Sequence, residues 1–447
     1  MQHEVGNGDF IPLLFASDIN VYSMARAFHE EYGVRSVSYG MVDSGPCVDS
    51  RILEHRMRAR VDQPEEMLEA ICEFAADYPE RKTIVVPCGD AYVLTLAGIR
   101  AELPANVVAP GIGLELVQRL TDKQRFYQLC DEVGLEYPGT YVYRPQGAVG
   151  WLPPCHLEEV EQARATATQA AARSAAEQLD EVPFPLPWVI KPADGVAYWA
   201  HPFAGQDKVF IAATREAAAE VIGRIDASGY PGTTIIQDFI PGDDSYMRVL
   251  TSYSTLDGQV RLTCLGHVLL EEHTPKGKGN HAVILTGPGE QDLELEGRIQ
   301  ALLEKLDYTG FANFDLKFDS RDGKFKVFEC NVRQGRSNFY VTAAGANLAR
   351  YLVEDLVYGR GEALGYTSVA TESLWLVVPE KVAFDYISPP ECRQQMRQLI
   401  AAGKCTNPLL YAADKSLKHK LRVEKSLRTQ PDKFARFYGE HRYAGND

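Results

Sequence analysis

Two carboxylates and two amides in the second half of the chain have the spacing of a metal-binding hairpin. Asn313 and Asp315 precede a turn over residues 321–323, and Glu329 and Asn331 follow it. The register that best separates polar from apolar side chains uses a three-residue turn. In that register Asp315 faces Glu329, and Asn313 faces Asn331. The side-chain oxygens of all four residues are then predicted to lie on one face of the hairpin.

Apolar residues occupy the opposite face, so the hairpin is predicted to belong to a core and its polar face to be a cleft floor. The same register makes these pairs: Phe314 with Cys330, Leu316 with Phe328, and Ser320 with Lys324. Two facing carboxylates, with Cβ atoms roughly 5 Å apart, repel each other. Mg²⁺, held in proteins by one or two carboxylates plus substrate phosphates, would relieve that repulsion. Removing Glu329 should therefore not destabilise the metal-free protein. A solvated face with incidental acids is the alternative.

Cationic side chains near this hairpin suit phosphate or carboxylate oxygens. Arg333 and Arg336 follow the second strand, and guanidinium groups bind such oxygens in a fork. Lys191 ends an apolar strand. Lys123 lies in the first turn of a helix, where the helix dipole disfavours a cation. The alternatives are that the arginines form salt bridges with nearby acids and that the lysine side chains extend into solvent.

Two further segments could contact a nucleotide. A strand running into Pro241-Gly242 offers a backbone edge beside apolar side chains, which could hold a purine, although any strand before Pro-Gly looks alike. The segment 273–281 is rich in glycine and lysine and could close over a phosphate; a surface loop is the alternative. The candidate residues in these segments are Gln237, Asp238, Phe239, Ile240, Lys276 and Lys278.

The first 120 residues alternate short apolar runs with helical patterns, which predicts a doubly wound parallel sheet. Ligands of such sheets bind beyond the carboxyl ends of the strands. Asp18, Asn20 and Asp90 lie at those positions and are candidate substrate residues. Helix N-capping, which Asp and Asn do routinely, is the alternative.

The composition is that of a globular protein of about three domains. The chain has 447 residues, and its 46 Lys and Arg against 61 Asp and Glu give a net charge of −15, which argues against a nucleic-acid binder. No apolar run approaches the roughly 20 residues of a membrane span. Nine scattered cysteines without a C-x-x-C pair favour reduced thiols and a cytoplasmic location. No Walker motif is present.

The pattern changes along the chain and predicts three units. Residues 1–120 form the α/β unit. Residues 121–365 form an α+β unit, with lobes at about 140–240 and 241–365. Residues 366–447 form a helix-rich extension. Residues 151–181 are Ala-rich and predict one exposed helix without an assigned role.

The order of these features resembles the ATP-grasp superfamily. The matching features are Lys123, Lys191-Pro192, the segment 237–242, a mobile Gly-rich loop, and Asp315 followed by Glu329-x-Asn331-x-Arg333. The resemblance covers about residues 10–360 and implies a two-lobed ATP-grasp fold. Asp18-Ile19-Asn20-Val21-Tyr22, with Phe28-His29-Glu30, is similar to carboxylate–amine ligases near the D-aspartate ligases of Gram-positive cell-wall synthesis.

The resemblance implies an enzyme that uses ATP and Mg²⁺ to join a small-molecule carboxylate, activated as an acyl phosphate, to an amine. By resemblance, Lys123 and Lys191 contact the α- and β-phosphates, and residues 237–240 contact the adenine. Asp315, Glu329 and Asn331 hold Mg²⁺, and Arg333 steadies the acyl phosphate. Asp315 stands where Glu or Gln is usual, which leaves direct metal ligation open.

The acid is expected to be an amino acid, and the amine to lie on a peptide or peptidoglycan precursor. A homo-oligomer is possible. The alternatives are an ATP-grasp kinase that phosphorylates a small molecule and a non-catalytic nucleotide-binding partner protein.

Overall fold

The structure, a computed structural model, describes residues 5–43, 45–144, 175–274 and 277–438, which form three β-sheets flanked by helices. The strands are β1 Phe10–Phe15, β2 Ser36–Gly40, β3 Leu53–Met57, β4 Lys82–Pro87, β5 Val107–Val108, β6 Thr140–Tyr143, β7 Trp188–Pro192, β8 Phe210–Ala212, β9 Thr234–Asp238, β10 Met247–Ser254, β11 Val260–Glu272, β12 Asn280–Thr286, β13 Gly310–Asp319, β14 Lys324–Asn331, β15 Thr367–Ser368, β16 Ser373–Leu376 and β17 Cys405–Thr406.

Helices cover the sheets and connect the parallel strands. They are α1 Ile19–Tyr32, α2 Pro64–Asp77, α3 Asp90–Ile99, α4 Leu114–Thr121, α5 Lys123–Val133, α6 Ala175–Asp180, α7 Gly195–Trp199, α8 Arg215–Ala227, α9 Leu293–Lys305, α10 Phe339–Ala343, α11 Leu348–Leu352, α12 Glu380–Tyr386, α13 Pro390–Ala401, α14 Leu417–Arg428 and α15 Gln430–Phe437. In the part of the chain that the structure describes, no helix is long and apolar enough to cross a membrane. Most of the Ala-rich segment 151–181 lies outside the described residues.

The N-terminal sheet is parallel, in the order β3-β2-β1-β4-β5, as the alternating pattern predicts. β1 is buried along its whole length, because helices cover both faces of a doubly wound sheet. β3 lies at the sheet edge and has the polar sequence Leu-Glu-His-Arg-Met, so it gives no apolar signal. The carboxyl ends of β1, β2 and β4 meet at one edge, where α1 and α3 begin.

The other two sheets are built mainly from antiparallel pairs. The smaller sheet has the order β6-β9-β7-β8, and the larger one runs β14-β13-β10-β11-β12-β16-β17, with β15 beside β11. The N-terminal sheet and part of the larger sheet share one continuous hydrophobic core, whereas the smaller sheet packs on a core of its own. Among the described residues, the smaller sheet therefore shares no hydrophobic core with the other two sheets.

The C-terminal region contributes strands as well as helices. β16 pairs with β12, and β17 pairs with β16, so residues after 365 extend the sheet that carries the hairpin. The sequence predicted only a helix-rich extension here, because each of these strands pairs with a segment far away in the sequence. The domain boundaries at 120 and 365 stay predictions.

A buried carboxylate ties the C-terminal region to the N-terminal sheet. Asp414 accepts hydrogen bonds from the Tyr22 hydroxyl (3.0 Å), the Ser50 hydroxyl (2.7 Å) and the backbone N–H of Arg51 (2.8 Å). The His419 ring stacks on Tyr22 with the ring centres 4.7 Å apart. All these groups lie beside the loop between β2 and β3, so the C-terminal region fixes that loop.

Candidate active site

The hairpin β13–β14 forms with the predicted acid pair. Asp315 pairs with Glu329 and Asn313 with Asn331, which confirms that part of the register. The Asn331 amide donates to an Asp315 oxygen at 3.2 Å. Asn313 accepts a hydrogen bond from the Thr251 hydroxyl and is buried. Asp315, Glu329 and Asn331 thus meet on one face, while Asn313 is held by the neighbouring strand.

The predicted register is wrong beyond this point, because the hairpin contains a β-bulge. Leu316 pairs with Val327 instead of Phe328, and Asp319 instead of Ser320 pairs with Lys324. The turn is therefore one residue longer than predicted, and Phe328 is the extra residue that absorbs the shift. The bulge places the Phe328 ring in the cleft, with the Lys191 ammonium 5.4 Å from the ring centre.

Three lysines face the acid pair from the other side of the cleft. Asp122 caps α5, and this sets Lys123 at the start of the helix, where its ammonium donates to Glu329 at 3.2 Å. Lys191 ends β7, and Lys208 lies two residues before β8; both line the same cleft. Lys208 was missed, because a single lysine ahead of a three-residue strand gives no pattern.

The charges in the cleft shift one another's pKa values. Burial and the neighbouring Glu329 carboxylate raise the pKa of Asp315 to about 7. The Lys123 ammonium holds the pKa of Glu329 well below its usual range. Burial, with Lys123 nearby, lowers the pKa of Lys191 to about 7. Glu329 is therefore neutralised by lysines, whereas the pKa of Asp315 stays raised although Lys208 and Arg333 lower it; a divalent cation would add the positive charge that Asp315 needs.

Glu271 and His281 also lie beside Asp315 and were not predicted. Nε2 of His281 is 3.7 Å from a Glu271 oxygen and 3.8 Å from an Asp315 oxygen. Burial lowers the pKa of His281 to about 4, and burial with nearby Asp244 raises that of Glu271 to about 8. β12 begins at Asn280, so the interpretation of 273–281 as a loop concealed His281. Glu271 lies near the end of β11 and belongs to no sequence pattern.

The predicted purine-binding strand is β9, and it borders the cleft. The Gln237 amide is buried and donates to the hydroxyls of Tyr127 (2.9 Å) and Thr140 (2.8 Å), so it fixes β9 to α5. The Asp238 carboxylate accepts from Arg321. The apolar side chains around the cleft, which could hold an aromatic base, are Val189, Ile211, Phe239, Ile240, Met247 and Phe328.

The Gly-rich segment contributes one described lysine. Lys276 lies outside the described residues. The Lys278 ammonium lies 3.4 Å from an Asp207 oxygen and 3.5 Å from the Val209 carbonyl. Because Asp207 and Val209 belong to the loop before β8, Lys278 bridges the larger sheet and the smaller sheet at the mouth of the cleft.

The two arginines after the hairpin have different partners. The Arg333 fork binds both oxygens of Asp90, at 2.7 and 3.1 Å. Arg336 donates to Glu272 at 3.2 Å. Gly335 between them must be glycine, since a Cβ atom there would come within 2.4 Å of the Asn313 side chain. This close approach brings both arginines against the polar face of the hairpin.

Of the N-terminal candidates, Asp18 and Asp90 reach the site, whereas Asn20 is buried behind it. Asp18 caps α1 and is exposed, and Asp90 begins α3 and holds Arg333. The Asn20 amide donates to the Cys88 carbonyl, and its oxygen accepts from Asn338 at 2.7 Å. Its exposed fraction is 1%. The prediction that Asn20 contacts the substrate is therefore corrected: Asn20 joins the N-terminal sheet to the segment after the hairpin.

Comparison with known proteins decides the family. No protein-family model matches the chain. A D-aspartate ligase of Enterococcus faecium (strain Aus0004) is 36% identical over 444 residues, which cover 98% of this chain and 99% of that protein. The chain belongs to the D-aspartate ligase family. This ligase therefore joins a carboxylate to an amine at the expense of ATP, forming ADP.

Solved structures confirm the ATP-grasp fold of the ligase. An N5-carboxyaminoimidazole ribonucleotide synthetase in complex with ADP has a TM-score of 0.54 at 12% identity, over 84% of this chain and 82% of that one. The enzyme of the same name from Thermus thermophilus has a TM-score of 0.53 at 16% identity, over 81% of each chain. The predicted class, a doubly wound sheet followed by a two-lobed ATP-grasp fold and a helix-rich C-terminal region, is confirmed.

The cleft of the ligase fits Mg²⁺ and ATP on chemical grounds. Carboxylate and amide oxygens, which a hard divalent cation prefers, lie on one wall. Lysines that could neutralise phosphates lie on the other, and apolar side chains between them could enclose a base. The raised pKa of Asp315, which burial and the Glu329 carboxylate cause, is the observation that most directly favours a bound cation.

Proposed function

We propose that this ligase activates D-aspartate and joins it to an amine on a peptide of a peptidoglycan precursor. The near-full-length similarity to the Enterococcus faecium D-aspartate ligase carries the proposal. Charges of both signs beside the hairpin support an amino-acid substrate, since Asp18, Arg333 and Arg336 lie at one end of the cleft. The peptidoglycan precursor follows from the resemblance of Asp18–Tyr22 to ligases of cell-wall synthesis.

In this proposal each group of cleft residues has its own role. Lys123 and Lys191 bind the α- and β-phosphates of ATP, and Lys208 joins them as a third cation. The backbone of β9 and residues 238–240 hold the adenine. Lys276 and Lys278 close over the phosphates. Asp315, Glu329 and Asn331 hold Mg²⁺, which supplies positive charge to the phosphates.

The protein's contribution to the reaction is mostly positioning and charge neutralisation. A free carboxylate is a poor acceptor for an amine, so its oxygen first attacks the γ-phosphorus of ATP, which releases ADP and leaves an acyl phosphate. The lysines stabilise the charge on the transferred group. Arg333, oriented by Asp90, steadies the acyl phosphate until the amine displaces phosphate and forms the amide.

The location, the domains and the oligomeric state are part of the same proposal. The use of ATP and the unpaired described cysteines support a cytoplasmic location. The units 1–120, 121–365 and 366–447 are proposed as domains, since the smaller sheet has its own core within the second of them. A homo-oligomer stays a prediction.

Trapping with hydroxylamine tests the substrate. Hydroxylamine replaces the amine and converts an acyl phosphate into a hydroxamate of the activated acid. With Mg²⁺ and ATP we expect a hydroxamate from D-aspartate, less from L-aspartate, and none from Glu329→Gln. A hydroxamate formed only from an acid without an amino group would overturn D-aspartate as the substrate and leave the ligase chemistry intact.

A further inference from the structure

Beside the cleft lie a carboxylate and a guanidinium group that act on each other electrostatically but form no ion pair with each other. Asp18 and Arg336 are the residues, at the end of β1 and after the hairpin. We propose that together they form an amino-acid subsite that selects an acid with a second carboxylate beside its ammonium group. Arg336 binds the carboxylate that does not react, and Asp18 binds the ammonium. This subsite rests on the proposed function.

Arg336 has donor capacity that the protein does not use. One terminal nitrogen, Nη2, donates to Glu272, whereas Nη1 is buried without a hydrogen-bond partner among the described residues. About a third of the side chain, 32%, is exposed, and its partner Glu272 directly follows Glu271, which lines the cleft. A buried donor without a partner is costly, and a carboxylate is the ligand that satisfies a guanidinium fork best.

Asp18 is the matching anion. It caps α1 through the N–H of Asn20 at 3.1 Å, and the described residues include no cation within 4.0 Å of its carboxylate. Desolvation raises its pKa, while Arg336 and, more weakly, Arg333 lower it. An ammonium group would give this carboxylate the counter-charge that it lacks.

The other charged pair at this end is already satisfied. Arg333 and Asp90 bind each other through both carboxylate oxygens, which leaves Asp18 and Arg336 as the pair open to a ligand. Arg333 also lies on the side of the metal-binding face, since its charge lowers the pKa of Asp315. An aspartate could therefore place its reacting carboxylate near Arg333 and its other charges on Asp18 and Arg336.

Truncated substrates test each contact separately. β-Alanine and D-alanine each lack one carboxylate of D-aspartate, and succinate lacks the ammonium group. For wild type we expect kcat/KM for hydroxamate formation to be highest with D-aspartate. Arg336→Gln should lower kcat/KM for D-aspartate by about 10- to 100-fold. For whichever of β-alanine and D-alanine lacks the carboxylate that does not react, the same variant should change kcat/KM by less than about 3-fold. Asp18→Asn should lower kcat/KM for D-aspartate by a similar factor and change that for succinate by less than about 3-fold.

Matched controls and a binding measurement make the outcome decisive. Arg360→Gln and Asp385→Asn change exposed, ion-paired residues away from the cleft and should leave all four acids unaffected. Calorimetry of D-aspartate binding, with Mg²⁺ and a non-hydrolysable ATP analogue, should show the same loss for Arg336→Gln. Equal losses for all four acids, or unchanged D-aspartate affinity, would overturn the subsite. Failure of wild type to form any D-aspartate hydroxamate would instead overturn the proposed function.

Discussion

Lys123 at the start of α5 donates a hydrogen bond to Glu329 on β14 over 3.2 Å, across 206 residues of sequence. Glu329 therefore sits among cations, with Lys191 and Lys208 close enough to lower its pKa further. The sequence pattern emphasises only the repulsion between Asp315 and Glu329. The structure reverses the expected consequence of removing Glu329, because three lysines would lose their shared counter-charge.

Glu329→Gln should abolish ligation and also destabilise the metal-free protein by about 1 kcal/mol. The lowered pKa means that the carboxylate stabilises the fold above its ordinary pKa of about 4, and this contribution is lost as the pH falls through the lowered value. The difference in unfolding free energy between variant and wild type should thus be largest near pH 7 and shrink below pH 4. Urea unfolding at several pH values measures it, with exposed Glu80→Gln as the control.

ATP binding should take up protons at pH 8. Because the pKa of Lys191 is about 7 in the free enzyme, its amine is mostly neutral at pH 8. Phosphates beside it favour the ammonium form and raise the pKa, so binding protonates it. We expect an uptake of about 0.5 to 1 proton, measured by calorimetry in two buffers of different ionisation enthalpy.

Lys191→Arg, which stays charged, should reduce this uptake, whereas Lys404→Arg on the surface should not. Net proton release by wild type at pH 8, or the same uptake by both variants, would contradict the assignment of Lys191 to the phosphates.

Asp90→Asn should lower kcat by about 10-fold with little change in the KM for ATP. Asp90 holds the Arg333 fork through both oxygens, so an amide would leave the guanidinium less firmly oriented. Steady-state kinetics with both substrates measure the effect, and Asp77→Asn at the exposed end of α2 is the control. A change confined to the KM for ATP would place Asp90 with the nucleotide instead.

Local patterns predicted the parts of the site that lie on one element. Alternation along β13 and β14 was sufficient to pair Asp315 with Glu329, since side chains on a strand repeat every two residues. The bulge at Phe328 breaks that period. Its position is set by packing against other elements, as in the contact of Tyr127 with the Phe328 carbonyl, and no local signal reveals it.

Residues contributed by distant segments escaped prediction for a similar reason. Lys208 and Glu271 gain their importance only from their neighbours across the cleft, and Asn20 is buried because segments 68 and 318 residues away contact it. The parallel sheet and the hairpin were predictable because periodicity is local. The connections between them depend on tertiary contacts.

Asp414→Ala should be among the most destabilising single substitutions in the C-terminal region. It removes the acceptor of three hydrogen bonds and leaves buried donors on Tyr22 and Ser50 unpaired. We expect a loss of about 2 to 4 kcal/mol in unfolding free energy, measured by urea denaturation. Exposed Asp432→Ala on α15 is the control, and similar losses for both variants would contradict a special role for Asp414.

The pairing of β16 with β12 affects how the protein is made. β12 is an interior strand of the finished sheet, yet its partner is translated much later. At about 5–20 residues per second, the edge of β12 waits on the order of ten seconds for β16 to leave the ribosome. During that interval an apolar strand, Asn280–Thr286, has unpaired backbone groups that another nascent chain could bind. The yield of folded ligase should therefore depend on chaperones that shield this edge while translation finishes.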